Sequence, residues 1–173
     1  APLPFFETKI MSTSVGVFFS TLALWALAEA WETGGWMRWL GSGALIGLAA
    51  LAIPSCLLLA VFFVAGLLFR KSRLPEAGAL LAGTLLIVAP ATLHNFAQGG
   101  GFVPISSQGG ITFYQGNSPK SRGLYRAVEG FSGSPLTQMQ EEKALAEKAV
   151  GHPLRASEVS SYWFGQGLKE ISS

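Results

Sequence analysis

The sequence predicts an all-α membrane protein. A polytopic transmembrane bundle of about four helices, two of them a short hairpin, leads into an extracytoplasmic loop and a small helical C-terminal part. Three observations predict it. Half of the 173 residues are hydrophobic and only 13% are charged, where a soluble domain carries about a quarter. No charged residue falls within 10–28, 39–69 or 77–93, and each run is near or above the ~17–25 residues that a spanning helix needs. From Lys120 onward the composition is that of a soluble chain. The expected division is therefore 1–95 transmembrane, 96–133 a glycine-rich loop and 134–173 a soluble helical segment.

The first span is expected from Phe6 to Trp31, ended by Glu29, Glu32 and Gly34-Gly35. Trp25, Trp31, Trp36 and Trp39 gather there, as amphipathic rings do at the level of lipid head groups. The chain opens on Ala-Pro-Leu-Pro with no basic stretch before the first apolar run. That run makes a poor signal peptide, and a processed chain or fragment is expected. The next apolar run, Trp36 to Phe69, is too long for one upright span and is interrupted by Pro54-Ser55. It reads as two helices, Met37–Ala52 and Pro54–Phe69, in a tight hairpin; one kinked, tilted helix is the competing reading. Gly41, Gly43 and Gly47 suit close helix approach.

Arg70-Lys-Ser-Arg73 is the densest basic cluster of the apolar part and should face the cytoplasm. A last span then runs from Pro75 to about Thr92. Counting spans from that cluster puts the N-terminus and everything after His94 outside. Beyond the loop, Thr137–Val150 reads as a helix with a Thr137/Gln140 capping box and a stop at Gly151 and Pro153. Ser157–Ile171 reads as another, with Val159, Tyr162, Trp163, Leu168 and Ile171 toward one side.

The residues with chemical potential lie where the last span ends. His94 and Asn95 stand at that end, placed either to hydrogen-bond a phosphate or to cap a helix C-terminus. Phe102–Ser107 and Ile111–Tyr114 read as short extended stretches around Gln108-Gly109-Gly110, a hairpin-like excursion whose glycines supply positive φ. Gly116-Asn117-Ser118-Pro119 reads as a second turn. Such a loop offers backbone N–H groups and the Asn117 amide to a phosphate or sugar. Phe113 and Tyr114 are placed to stack or to anchor, and Lys120 and Arg122 to neutralise phosphate. Glu7 is the one carboxylate expected near the outer face before Glu129. Two histidines far apart and a single cysteine, Cys56, provide no metal pattern and no disulfide. A net charge of +2 does not indicate a nucleic-acid partner.

Three segments, in this order, resemble the bacterial protein mannosyltransferase and aminoarabinose transferase-like group of GT-C fold, polyprenyl-phosphate-sugar-dependent membrane glycosyltransferases. Gly43–Ser55 is similar to that group's GLxxGLAxLxRP hairpin, and Pro90-Ala-Thr-Leu-His-Asn95 to its PxTLRN helix ending. Gly109-Gly-Ile-Thr-Phe-Tyr-Gln-Gly-Asn-Ser-Pro119 resembles its GGxNFYxGNNP loop, with Gly123 and Tyr125 matching a following GxY. Ile53 and His94 stand where the family usually has a permanent cation.

The resemblance implies an inner-membrane enzyme that moves a sugar from a polyprenyl-phosphate carrier to an extracytoplasmic acceptor, without a cofactor. It implies that the family's catalytic acidic loop would precede Ala1, so that this chain alone would be inactive. His94, Asn95, Gly109, Gly110, Tyr114, Gly116, Asn117, Lys120 and Arg122 are then the expected substrate-binding residues, with none of them catalytic. The expected partners are the lipid-linked sugar, the bilayer and an acceptor of unspecified kind. A non-enzymatic transporter or lipid-handling subunit is the alternative, which would use the same loop as a gate.

Overall fold

A computed structural model of the chain describes residues 12–99, 101, 103, 105–118 and 137–172. These form seven α-helices and no strand: α1 (Ser12–Thr33), α2 (Trp36–Ala52), α3 (Leu57–Leu68), α4 (Leu74–Gly99), α5 (Gly109–Asn117), α6 (Gln138–Val150) and α7 (Ala156–Ser172). The chain divides into two compact units, Ala1–Leu93 and His94–Ser173. The expected first-span residues Phe6 to Met11 lie outside the described residues, as do Glu7, Phe102, Pro104, Pro119, Lys120, Arg122, Gly123 and Tyr125.

In the first unit, α1 and α4 contain stretches long and apolar enough to cross a membrane, Thr13–Thr33 and Leu74–Ala97; α2 and α3 are shorter. Hydroxyls of α1 bond back to the helix, Thr21 Oγ1 donating to the Val17 carbonyl at 2.8 Å and Thr33 Oγ1 to that of Glu29 at 2.5 Å. Gly34 and Gly35 adopt φ of 70° and 94°, which an L side chain rarely tolerates. They stop α1 and reverse the chain into α2.

The run from Trp36 to Phe69 is two helices. Ile53 takes an extended conformation (φ −136°, ψ 100°) before a 3₁₀ turn at Pro54–Cys56, so the backbone helix is broken at the proline. A continuous helix would have carried the chain about 50 Å from Trp36. Instead Arg70 returns to lie 5.2 Å from the ring centre of Trp31, and Arg73 lies 4.9 Å from it. The break therefore folds the chain back toward the end of α1.

Small residues set how closely α2 and α4 approach. A Cβ on Gly43 would collide with the Leu80 carbonyl, one on Gly83 with the Leu40 carbonyl, and one on Gly47 would reach 2.8 Å from Ile87 Cβ. Thr84 Oγ1 lies between the two backbones, within hydrogen-bonding distance of the carbonyls of Gly43 (3.1 Å) and Leu80 (3.0 Å). Gly41, expected to share this role, has open space around it. The buried cluster of this unit includes Ala23, Leu27, Trp39, Ile46, Leu67 and Leu80.

α4 does not end at Thr92. It continues through Pro90 and past Asn95 to Gly99. A proline lacks only one intrahelical hydrogen bond, which a long, otherwise strong helix tolerates.

In the second unit, α5 packs against α7, and Ile111, Ala146, Leu154, Val159 and Trp163 form its core. Gly151 ends α6 in the left-handed conformation, φ 86°, its N–H donating to the Glu147 carbonyl. Thr137 occupies the position before α6 but makes no side-chain cap, so the expected capping box is not formed. Along α7 the buried stripe is Val159, Trp163 and Gly167, while Leu168 and Ile171 are exposed. The stripe follows a spacing of four residues because Gly167 lets Phe113 and Tyr114 of α5 lie directly on it.

Candidate functional site

The segment expected to form an extended hairpin is helical. Gly109–Asn117 is α5, and neither Gly109 nor Gly110 has positive φ. The burial pattern explains the difference: Gly110, Ile111 and Gln115 are buried, whereas Phe113, which a strand would place on one face with Ile111 and Gln115, is only half-buried. Gly110 is needed for proximity instead. A Cβ there would collide with the Ser160 backbone, and its N–H donates to Ser160 Oγ at 3.1 Å. Gly116 and Asn117, expected in a second turn, are the last residues of α5.

An open pocket of about 500 Å³ lies beside this helix start. It is lined by Val103, by Ser106 and Ser107, by Gly109, Gly110 and Phe113 of α5, and by Ser157, Ser160, Ser161 and Phe164 of α7. That volume is within the range of small-molecule sites. Phe113 and Phe164 stack at 4.5 Å between ring centres, giving an aromatic wall. Five serines line it, and among the described residues no charged side chain does. Ser160 and Ser106 accept hydrogen bonds from the N–H groups of Gly110 and Gln108, so their own protons are left to donate elsewhere. Such a lining binds neutral polar groups and aliphatic ring faces. Among the described residues it holds no acid or base to move a proton.

The expected site residues separate around this pocket. Gly109 and Gly110 line it. Asn95 acts on its wall: Nδ2 donates to the carbonyls of Val103 (3.2 Å) and Ile105 (3.1 Å), tying the segment before α5 to the end of α4. Tyr114 turns away and packs on Trp163 at 5.1 Å between ring centres. Asn117 is exposed, its amide donating back to the Phe113 carbonyl at 2.8 Å. His94 and Gly116 are exposed and are not among the lining residues.

Ser157, Ser160, Ser161 and Phe164 were not anticipated, although their signal is present: positions i, i+3, i+4 and i+7 share one helix face. Among the described residues no group of three His, Cys, Asp or Glu side chains could hold a metal ion.

Away from the pocket, Glu142 is buried in the α6–α7 contact, 3% exposed, with no hydrogen-bond partner for Oε2 among the described residues. Burial pushes its carboxyl up to about 7. Its backbone carbonyl accepts from Trp163 Nε1 at 3.2 Å. Gln115 Nε2 on α5 is likewise buried without a partner among the described residues. The chain matches no family model, no curated protein and no solved structure.

Proposed function

We propose that the chain is part of an integral membrane glycosyltransferase, and that the pocket beside Gly110 receives the sugar of a polyprenyl-phosphate-linked donor. The observation that carries this reading is the pocket's lining of five serines and two stacked phenylalanines, with no charged group among the described residues. A sugar presents hydroxyls that each donate and accept, together with C–H faces that rest on aromatic rings. Serines and phenylalanines match both.

A bilayer location for the first unit is supported by what its helices leave outside. Only 22% of the first apolar stretch and 28% of the second are buried. Phe18, Trp25, Phe62, Leu86 and Leu93 are all more than 60% exposed. A soluble core helix would bury such side chains. Lipid would cover them, and the positive-inside rule would put the basic turn at Arg70–Arg73 on the cytoplasmic side.

In the reaction, an acceptor hydroxyl or amine attacks the anomeric carbon, the bond to the lipid phosphate oxygen breaks, and the acceptor's proton passes to a base. The described lining residues supply none, and their part is to bind and orient. Asn95 shapes the pocket wall, and Lys120 and Arg122 are the candidates for the phosphate charge.

Transfer from a polyprenyl-phosphate sugar, measured in membranes containing the complete protein, tests the reading. Ser160→Ala and Phe164→Ala should each lower it at least tenfold. Unchanged transfer in both variants at normal expression would overturn it. Because the described lining residues include no general base, a lipid-handling subunit is the second reading; it predicts binding of the lipid-linked sugar with no transfer to any acceptor.

A further inference from the structure

We propose that Arg70 and Arg73, laid over Trp31, form a binding site for the phosphate of an anionic phospholipid head group, distinct from the donor pocket. The inference rests on the membrane reading of the first unit but not on glycosyl transfer.

Its basis is a pair of cations brought together with no anion among the described residues to meet them. The two guanidinium carbons lie 5.2 and 4.9 Å from the centre of one indole ring. The charges are therefore within about 10 Å of each other, roughly the Debye length at ~0.1 M salt, and they repel. Among the described residues neither has a carboxylate partner. Glu29 pairs instead with Arg38, at 3.8 Å, and the Arg38 guanidinium also donates to the Gly34 carbonyl. Glu76 Oε2, one turn beyond Arg73, is buried without any hydrogen bond.

The indole offsets part of the repulsion by accepting both cations on its π system. It also holds close together two planar, multi-donor groups, each of a kind that grips a phosphate through paired hydrogen bonds.

What surrounds the pair identifies the source of the phosphate. Phe69, adjacent to Arg70, is 90% exposed, and Leu68 and Leu74 are each about half exposed. Exposed apolar side chains that flank unpaired cations at the end of apolar helices suit a lipid, whose acyl chains cover the former while its phosphate meets the latter. A free phosphate would leave Leu68, Phe69 and Leu74 in water.

Native mass spectrometry of the full chain from uncharged detergent, with equal phosphatidylglycerol and phosphatidylcholine, tests the proposal. The wild type should retain phosphatidylglycerol preferentially. Arg70→Gln with Arg73→Gln should reduce that preference by on the order of tenfold or more, each basic residue near a membrane surface being worth roughly fivefold. Lys143→Gln with Lys148→Gln, which removes as much charge from α6, should leave it unchanged. If the double arginine variant does not fold, Arg70→Gln alone should show the fivefold loss, since that side chain is exposed. Equal retention of both lipids by the wild type, or an undiminished preference in the arginine variants, would overturn the proposal. Either result would leave the sugar-pocket reading untouched.

Discussion

Replacing Glu142 by Gln should change how the stability of this protein depends on pH. In the folded chain the buried carboxyl keeps its proton up to about pH 7, whereas an ordinary glutamate releases it near 4.5. Between those values the folded state binds more protons than the unfolded state, so stability falls as pH rises. The fall begins near pH 4.5 and is complete above about pH 7.5. At 1.36 kcal/mol per unit, the full loss is at most roughly 3 kcal/mol. Glutamine keeps the shape and cannot ionise. Wild type and Glu142→Gln should therefore have similar stability near pH 4.5 and diverge as pH rises, the variant becoming more stable by about 2–3 kcal/mol at pH 8. For a chain of this size that is on the order of 4–12 °C in Tm. Thermal unfolding of both proteins in uncharged detergent, from pH 4.5 to 8.5, measures it. Parallel curves would refute the reasoning, because they would mean that the Glu142 carboxyl titrates alike in the folded and unfolded chains.

Gly110→Ala should destabilise the second unit by about 1–3 kcal/mol, because the new Cβ meets the Ser160 carbonyl and not a movable side chain; hydrogen exchange in α5 and α7 would show the loss. Gly116→Ala, which has open space around it, should be neutral or slightly stabilising in the same measurement. Asn95→Asp removes the amide donor shared by the Val103 and Ile105 carbonyls and should cost about 1–3 kcal/mol. Proteolysis between Gly99 and Gly109 should quicken accordingly. Gly83→Leu should disrupt the α2–α4 approach at the Leu40 carbonyl, lowering Tm in detergent by several degrees, whereas Gly78→Leu, at an open position, should not.

Much of the first unit was legible in the sequence because its signals are long. Charge-free runs mark apolar helices whatever packs against them, and a proline at 54 breaks a helix for reasons internal to the backbone. The pocket region was harder because its signals are short and ambiguous. Gly109-Gly110 reads equally as a flexible turn or as a small-residue helix contact, and only the partner, the Ser160 backbone, decides between them. Asn95 and Asn117 look alike as polar residues near turns. One holds a neighbouring segment and the other bonds to its own helix, a difference set by tertiary position alone. Ser157, Ser160, Ser161 and Phe164 were present as a helical face, but the alternate face carrying Val159 and Trp163 has the stronger hydrophobic signal. The resemblance to lipid-linked sugar transferases rests on the spelling of short segments, and the geometry of the serine-lined pocket is an independent reason to test it.

The most direct test of the sugar-pocket account is comparative binding of two lipids that differ only in the sugar. The complete protein in uncharged detergent should bind a polyprenyl-phosphate hexose or pentose about tenfold more tightly than the same polyprenyl phosphate without sugar, the equivalent of one or two net hydrogen bonds. Phe164→Ala and Ser160→Ala should remove that difference while leaving the affinity for the bare lipid phosphate unchanged. Equal binding of the two lipids by the wild type would contradict the account.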